Sequence, residues 1–386
     1  MEVIILEIKV IKQQATKYYA NFLEKLEKLV SIDSGSGNYR GINRVADFLR
    51  PLLEKENCEI MRKENKEFGP VLIGNKKGNG QKNIMLLAHM DTVWEEGTVQ
   101  QRPFCLEGNK AFGPGVTDCC SGMLTQYFVL RILGDLDING FKNIFLVFNP
   151  DEELGSPFSR DIITDFARKS DISLVMEAPD DPEEFITSRA GKTSFTIKTT
   201  GKAAHSGTAY EKGISAIDEL LYKLRKIQKT DLKDIKTNIA TIQGGEKTGI
   251  IPPRAEAEVE FRVKQQRDNK FLSEIIEKLC SRSDVPGASI NFNKVINFPP
   301  FAEHRGSQEV IDLFKECGVS LNMDLENKFC GGCSDGCFTA GECITIDGLA
   351  PYGERYHTPE EYLQLDTILP RINLITLFII KYLEQC

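Results

Sequence analysis

The chain has 386 residues, 41% of them hydrophobic, which is enough to bury a large core and makes two domains the default expectation. Its 48 Lys and Arg stand against 56 Asp and Glu, a net charge of -8, and no basic block offsets this, so a nucleic-acid partner is excluded. The apolar runs at residues 3–6 and 374–380 are too short for a signal peptide or a bilayer span, so we read a cytoplasmic protein with no membrane partner.

Residues 1–12 are ambiguous between strand and helix. The first clear signal is the buried-strand pattern Ile84 to Ala88, which runs into His89-Met90-Asp91. Gly113-Pro114-Gly115-Val116-Thr117-Asp118 reads as a turn ahead of a helix that begins near Ser121. Ile144 to Phe148 is a second buried strand, followed by Asp151-Glu152-Glu153, and Ile172 to Met176 is a third, followed by Glu177. From Thr187 to about Asn297 the periodicities change. Lys192 to Thr199, Asn238 to Ile242, Ala255 to Val263 and the stretch through Ser289, Asn291 and Asn293 read as strands. Ile214 to Ile227 and Phe271 to Leu279 carry helical spacing, so the order is β-α-β-β-α-β, that of a ferredoxin-like insert. The insert closes at Phe298-Pro299-Pro300-Phe301. A Gly-rich loop from Gly331 to Gly336, a strand at Ile344 to Ile346, His357 and a buried helix around Leu374 to Ile380 complete the chain. The class is α/β, with a mixed, mostly parallel sheet sandwiched by helices and interrupted by the insert.

The polar residues at the ends of the buried strands converge, because ligands of open α/β sheets bind at the carboxyl ends of the strands. Only four histidines occur, and two of them, His89 and His357, lie at such turns with acidic neighbours. Imidazole and carboxylate together suit zinc, and also manganese or cobalt. Two ions about 3.5 to 4 Å apart would activate a shared water and polarise a carbonyl. The paired Glu152 and Glu153 allow one to bind metal while the other acts as general base.

The stretches LLAHMDTV, FGPGVTD, NPDEELGS, VMEAP, TGKAAHSG and GERYHTPEEY resemble, in order, the motifs of the dizinc exopeptidases. That family includes glutamate carboxypeptidase, acetylornithine deacetylase, succinyl-diaminopimelate desuccinylase and aminoacylase, and the glutamate carboxypeptidase branch is nearest. The resemblance implies a catalytic metal-binding domain in two parts, 1–186 and 299–386, with a lid and dimerisation domain at 187–298. It implies two divalent ions: His89 and Glu177 serve one, Glu153 and His357 the other, and Asp118 bridges them. Asp91 would steady the His89 ring, and Glu152 would be the general base that takes the proton from the bridging water, leaving a metal-bridging hydroxide, and hands it to the leaving amine. His205 would reach a neighbouring subunit's site and stabilise the oxyanion, which implies a homodimer. Arg262 would pair with the substrate's free carboxylate, and Gly331, Gly332 and Asp335 would line the substrate loop.

The implied reaction is hydrolysis of the amide bond of a small peptide or an N-acyl amino acid. The alternatives are an N-deacylase of the aminoacylase or acetylornithine type, or an inactive peptide-binding dimer. The sequence departs from the family pattern where Cys119 and Cys120 follow Asp118 in place of the usual Asp-x-Lys, and where Gly249 replaces an asparagine. Cys330, Cys333 and Cys337 include a C-x-x-C, but no second pair at ordinary spacing completes a zinc site.

Overall fold

The computed structural model describes residues 2–232, 234–304 and 306–385. The chain divides into two compact units. Met1–Ser188, Glu303–Cys330 and Ser334–Cys386 form the first, and Arg189–Ala302 with Gly331–Cys333 form the second.

The first unit opens with helix α1 (Glu2–Val30), so the segment ambiguous by sequence is helical from Glu2, and Met1 lies outside the described residues. Ile11, Ala15, Tyr18, Phe22, Leu26 and Leu29 are buried at steps of three and four, the spacing that puts them on one helical face. Helix α2 (Tyr39–Lys55) is capped by the Asn38 side chain, which accepts the Gly41 N–H at 3.0 Å. Strands β1 (Glu59–Lys63), β2 (Val71–Lys77) and β3 (Lys82–His89) come next, then helix α3 (Ser121–Asp135), strand β4 (Phe141–Asn149), helix α4 (Arg160–Ala167) and strand β5 (Ile172–Val175). Consecutive residues Ile84 to Ala88 of β3 are all buried. Neighbouring side chains on a strand point to opposite faces, so both faces of the sheet are covered.

The second unit contains strand β6 (Gly191–Thr200), helix α5 (Ala216–Lys229), strands β7 (Lys236–Gly244) and β8 (Arg254–Val263), helix α6 (Gln266–Cys280) and strand β9 (Ser289–Phe298). The sheet runs β7-β8-β6-β9 with every neighbouring pair antiparallel. Ala255, Ala257, Val259, Phe261 and Val263 are buried in a core with Leu220, Leu224, Leu272 and Ile276. Inside this unit Lys223 pairs with Glu219 at 3.3 Å and with Asp284 at 2.8 Å, tying α5 to the turn before β9. The unit's edges differ by a few residues from 187–298. The backbones of Arg189 and Phe301 exchange two hydrogen bonds, 2.9 and 3.1 Å, which carries the unit past the paired prolines. Gly331–Cys333 belongs to it because the Cys333 thiol donates to the Ala190 carbonyl at 3.2 Å and receives Arg262 Nη1 at 3.1 Å.

Back in the first unit, helix α7 (Ser307–Ser320), strand β10 (Ile344–Ile346) and helix α8 (Ile368–Glu384) complete the fold. The sheet order is β1-β2-β4-β3-β5-β10. β3 is parallel to β4 and β5, β10 is parallel to β5, and β1 and β2 add antiparallel pairs at one edge. Helices α1, α3 and α8 pack together. The apolar run near the C-terminus is the interior of α8, buried nearly all round, and no helix among the described residues is long and apolar enough to cross a membrane.

Candidate metal centre

His89 ends β3 in register with Asn149 at the end of β4, and Leu87 pairs with Val175 of β5. Three parallel strands thus finish together, and the residues just beyond their ends meet at one edge of the sheet. The His89 ring is 1% exposed, and its Nδ1 donates to the Asp91 carbonyl at 2.9 Å. A carbonyl only accepts, so this puts a proton on Nδ1 and turns Nε2 toward the centre. Nε2 lies 2.8 Å from Asp118 Oδ1 and 3.5 Å from Glu177 Oε1.

Asp118 arrives on a kinked turn, Val116–Cys120, entered through Gly115 at φ 69°, a left-handed conformation that favours glycine. Its second oxygen, Oδ2, is 3.1 Å from His357 Nε2, which is also 3.3 Å from Glu153 Oε2. His357 has φ 63°, uncommon for a residue with a side chain and a mark of positions held by their surroundings. The two imidazoles therefore stand on opposite oxygens of one carboxylate, and each has a further carboxylate beside it.

The metal-free chain concentrates negative charge here. Burial opposes ionisation of Asp118, but hydrogen bonds from His357 and His89 outweigh it and hold its carboxyl well below the usual range. Burial and then the charge of Glu177 push Glu152 well above its ordinary value, and burial and then Asp118 raise Glu153. Hydrogen bonds to Asp118 and Glu153 lift His357 to about 10, and His89 is raised against its own burial by Glu177 and its other acidic neighbours. Four carboxylates around two imidazoles, with Glu153 Oε1 buried and without a hydrogen-bond partner, form a donor set that divalent cations fit. Among the described residues, the groups compact enough to hold a metal both include His89, one with Asp118 and Glu153 and one with Cys119 and Glu177. Cys330, Cys333 and Cys337 enter neither.

The other residues expected at the site take up a range of positions. The Asp91 carboxylate is 3.3 Å from His89 Nδ1, but its hydrogen bonds come from the Ser36 hydroxyl at 2.6 Å and the N–H groups of Glu152 and Glu153 at 3.0 and 3.2 Å. It steadies the acidic pair, while its own backbone carbonyl holds the ring. Asp335, expected at the substrate loop, is 1% exposed: it receives the Asn149 amide at 2.6 Å and the Ser156 hydroxyl, and burial pushes it up to about 7. Gly331 and Gly332 are exposed in the second unit. Arg262, also in that unit, donates from Nε to Glu260 at 2.8 Å as well as to Cys333. His205 is exposed there, and its Nδ1 accepts the N–H groups of Gly207 and Thr208 at 3.1 and 3.2 Å.

Sequence reasoning missed Glu361. It is 1% exposed and accepts the N–H groups of Gly115, Thr117 and Asp118 at 2.9, 3.0 and 3.2 Å and Trp94 Nε1 at 3.2 Å. Burial, then the Asp118 charge, raises it to about 7. It thereby pins the turn that presents Asp118 to the segment that carries His357. In the sequence it is one of two adjacent glutamates, and no periodicity tells which of them is inside.

Residues 85–381 match peptidase family M20/M25/M40. The chain belongs to this family. The M20 chain is 29% identical over 377 residues to carboxypeptidase G2 of Pseudomonas sp. (strain RS-16), a match that covers 95% of this chain and 90% of that protein. Its fold is similar to that of a tripeptidase from Staphylococcus aureus, with TM-score 0.80 and 19% identity over 95% of this chain and 99% of that one. It is also similar to the Bacillus subtilis YXEP protein, described as a dinuclear metal binding peptidase, with TM-score 0.71 and 15% identity over 96% of this chain and 100% of that one. As a family member the chain is a metal-dependent peptide or amide hydrolase with a mixed α/β fold.

Proposed function

We propose that this M20 peptidase is a two-zinc, carboxypeptidase-like exopeptidase that hydrolyses the amide bond of a small peptide or an N-acyl amino acid. The observation that carries this reading is Asp118, whose two oxygens face His89 and His357 at 2.8 and 3.1 Å. His89, Glu177 and Asp118 would hold one divalent ion, and His357, Glu153 and Asp118 the other. Nitrogen and carboxylate donors suit zinc, with cobalt or manganese as alternatives. The Bacillus protein described as a dinuclear metal binding peptidase supports two ions, and the 29% identity to carboxypeptidase G2 supports the carboxypeptidase-like class.

When bound, such ions polarise the scissile carbonyl and bring the pKa of the attacking water toward about 7. Glu152 takes the proton from that water and passes it to the leaving amine. A buried carboxyl with a raised pKa suits both halves of the transfer, because it is basic enough to accept and acidic enough to give the proton back. Asp91, by accepting two backbone N–H groups, keeps Glu152 and Glu153 in their separate orientations. Arg262 is the guanidinium that would recognise the substrate's free carboxylate, with Gly331, Gly332 and Asp335 as the residues of the proposed substrate loop.

His205 would serve the oxyanion in a neighbouring subunit. Two N–H groups occupy its Nδ1, which leaves Nε2 as the donor. The matching homodimer would form through the second unit, where β7 is an edge strand exposed along nearly its whole length.

A panel of dipeptides, N-acyl glutamates and N-acetyl amino acids, assayed with added zinc on wild type and Glu152→Gln, tests the reading. Cleavage of substrates bearing a free α-carboxylate is expected, with turnover of the variant lowered about 10²–10⁴-fold at unchanged metal content. Full turnover by Glu152→Gln would overturn the base assignment, and cleavage confined to N-acetyl amino acids would replace the carboxypeptidase with a deacylase.

A further inference from the structure

We propose that Cys119 supplies a sulfur donor to the ion held by His89 and Glu177, making that half of the centre a nitrogen, sulfur and carboxylate site that favours zinc and other thiophilic cations over manganese or magnesium. The inference rests on the paired-cation reading above and deepens it.

The ligand atoms of His89, Cys119 and Glu177 all lie within 4.8 Å of one another. Cys119 is the residue immediately after the carboxylate that faces both imidazoles, and its buried thiol donates to the Met176 carbonyl at 2.9 Å, one residue before Glu177. The sulfur is closely seated: a Cβ on Gly122 would come within 2.7 Å of it and 2.1 Å of the Met176 carbonyl oxygen, so only glycine at the start of α3 admits this arrangement. Coordination would replace the Met176 carbonyl with a cation as the sulfur's partner. On coordination the thiol proton leaves to solvent and the sulfur lone pair forms the new bond, with no oxidant or reductant involved.

The count of donors gives the sulfur a consequence. His89, Glu177, Asp118 and Cys119 make four, the number that closes a tetrahedral zinc site, whereas His357, Glu153 and Asp118 make three and leave a position open. The two halves then divide the work: the His89 half anchors the bridging carboxylate, and the His357 half keeps room for water and substrate. Thiolate ligands also select zinc over the harder divalent ions, a bias that carboxylates alone do not give.

Cobalt substitution reads this out without any assay of turnover. The chain, freed of metal and titrated with cobalt, is expected to bind about two ions and to show a near-ultraviolet sulfur-to-cobalt charge-transfer band in addition to visible bands. Cys119→Ser should lose that band with the cobalt count retained, and Cys120→Ser should keep it. X-ray absorption on the zinc-loaded wild type needs no variant and is expected to show sulfur at about 2.3 Å from zinc. Two bound ions with only nitrogen and oxygen neighbours, or a band that survives Cys119→Ser, overturns the sulfur assignment and leaves the paired centre standing. Failure to bind cobalt at all removes both.

Discussion

The carboxylate of Asp91 accepts the backbone N–H of Glu152 at 3.0 Å, and its other oxygen accepts that of Glu153 at 3.2 Å. The same residue's carbonyl accepts a hydrogen bond from His89 Nδ1. One residue therefore sets both an imidazole tautomer and the direction of the acidic pair. Asp91→Asn keeps the size but turns an amide NH₂ toward one of those N–H groups. It is expected to lower turnover or metal affinity about 10–100-fold, the usual range for a group that orients ligands. Steady-state kinetics beside metal titration measure this, and wild-type values in both would contradict it.

Glu361 is a second brace. Glu361→Leu removes the acceptor of three backbone N–H groups and the Trp94 indole in a buried setting, and each donor left without a partner costs about 1–3 kcal/mol. Lower thermal stability and weaker metal binding are expected together, because the turn that carries Asp118 is released. Calorimetric unfolding with and without zinc separates the two effects, and an unchanged metal affinity would show that the brace serves stability alone.

Metal loading should release protons. His357 in the metal-free chain is raised from 6.5 to about 10 by Asp118 and Glu153, so its protonation stabilises the metal-free fold fully below 6.5 and that contribution is lost as pH rises through about 10. At about pH 8 the imidazole is still charged, and a cation must displace its proton. Zinc titration by calorimetry in two buffers of different ionisation heat is expected to show net release of about one proton or more per chain. Identical heats in both buffers would contradict this.

The second unit carries its own buried ion group. Lys223 lies 3.3 Å from Glu219 and 2.8 Å from Asp284 and also donates to the Arg282 carbonyl at 2.6 Å. Lys223→Ala leaves the Glu219 charge uncompensated in the interior and should destabilise by about 3–5 kcal/mol. Denaturant unfolding should register the loss while metal content stays at the wild-type level. A loss of bound metal would show that the effect is not confined to this unit.

Much of the fold and the centre is legible in the sequence, for reasons that differ by residue. The buried strands around Ile84, Ile144 and Ile172 announce themselves as apolar runs, and strict alternation marks Ala255 to Val263, so the positions of His89, Glu152, Glu153 and Glu177 at strand ends come from pattern alone. Asp118 and His357 lie on turns without periodicity; the Gly-rich turn and the scarcity of histidine point to them, and the motif resemblance adds which ion each would serve. The hidden part is mostly hydrogen bonding across long separations. Nothing local distinguishes Glu361 from Glu360, or says that Asp335 turns inward to Asn149 and Ser156. The N-terminal segment is ambiguous because its first residues pattern weakly, while the helix declares itself only over the longer run from Ile11 to Leu29.

The central claim is that Asp118 is shared by two cations. Counting metal in zinc-loaded protein, wild type beside Asp118→Ala, tests it most directly. The expected result is about two ions per chain in the wild type and loss of the pair in the variant. A wild type that holds a single ion at saturating zinc, or an Asp118→Ala chain that keeps both with unchanged affinity, would contradict it.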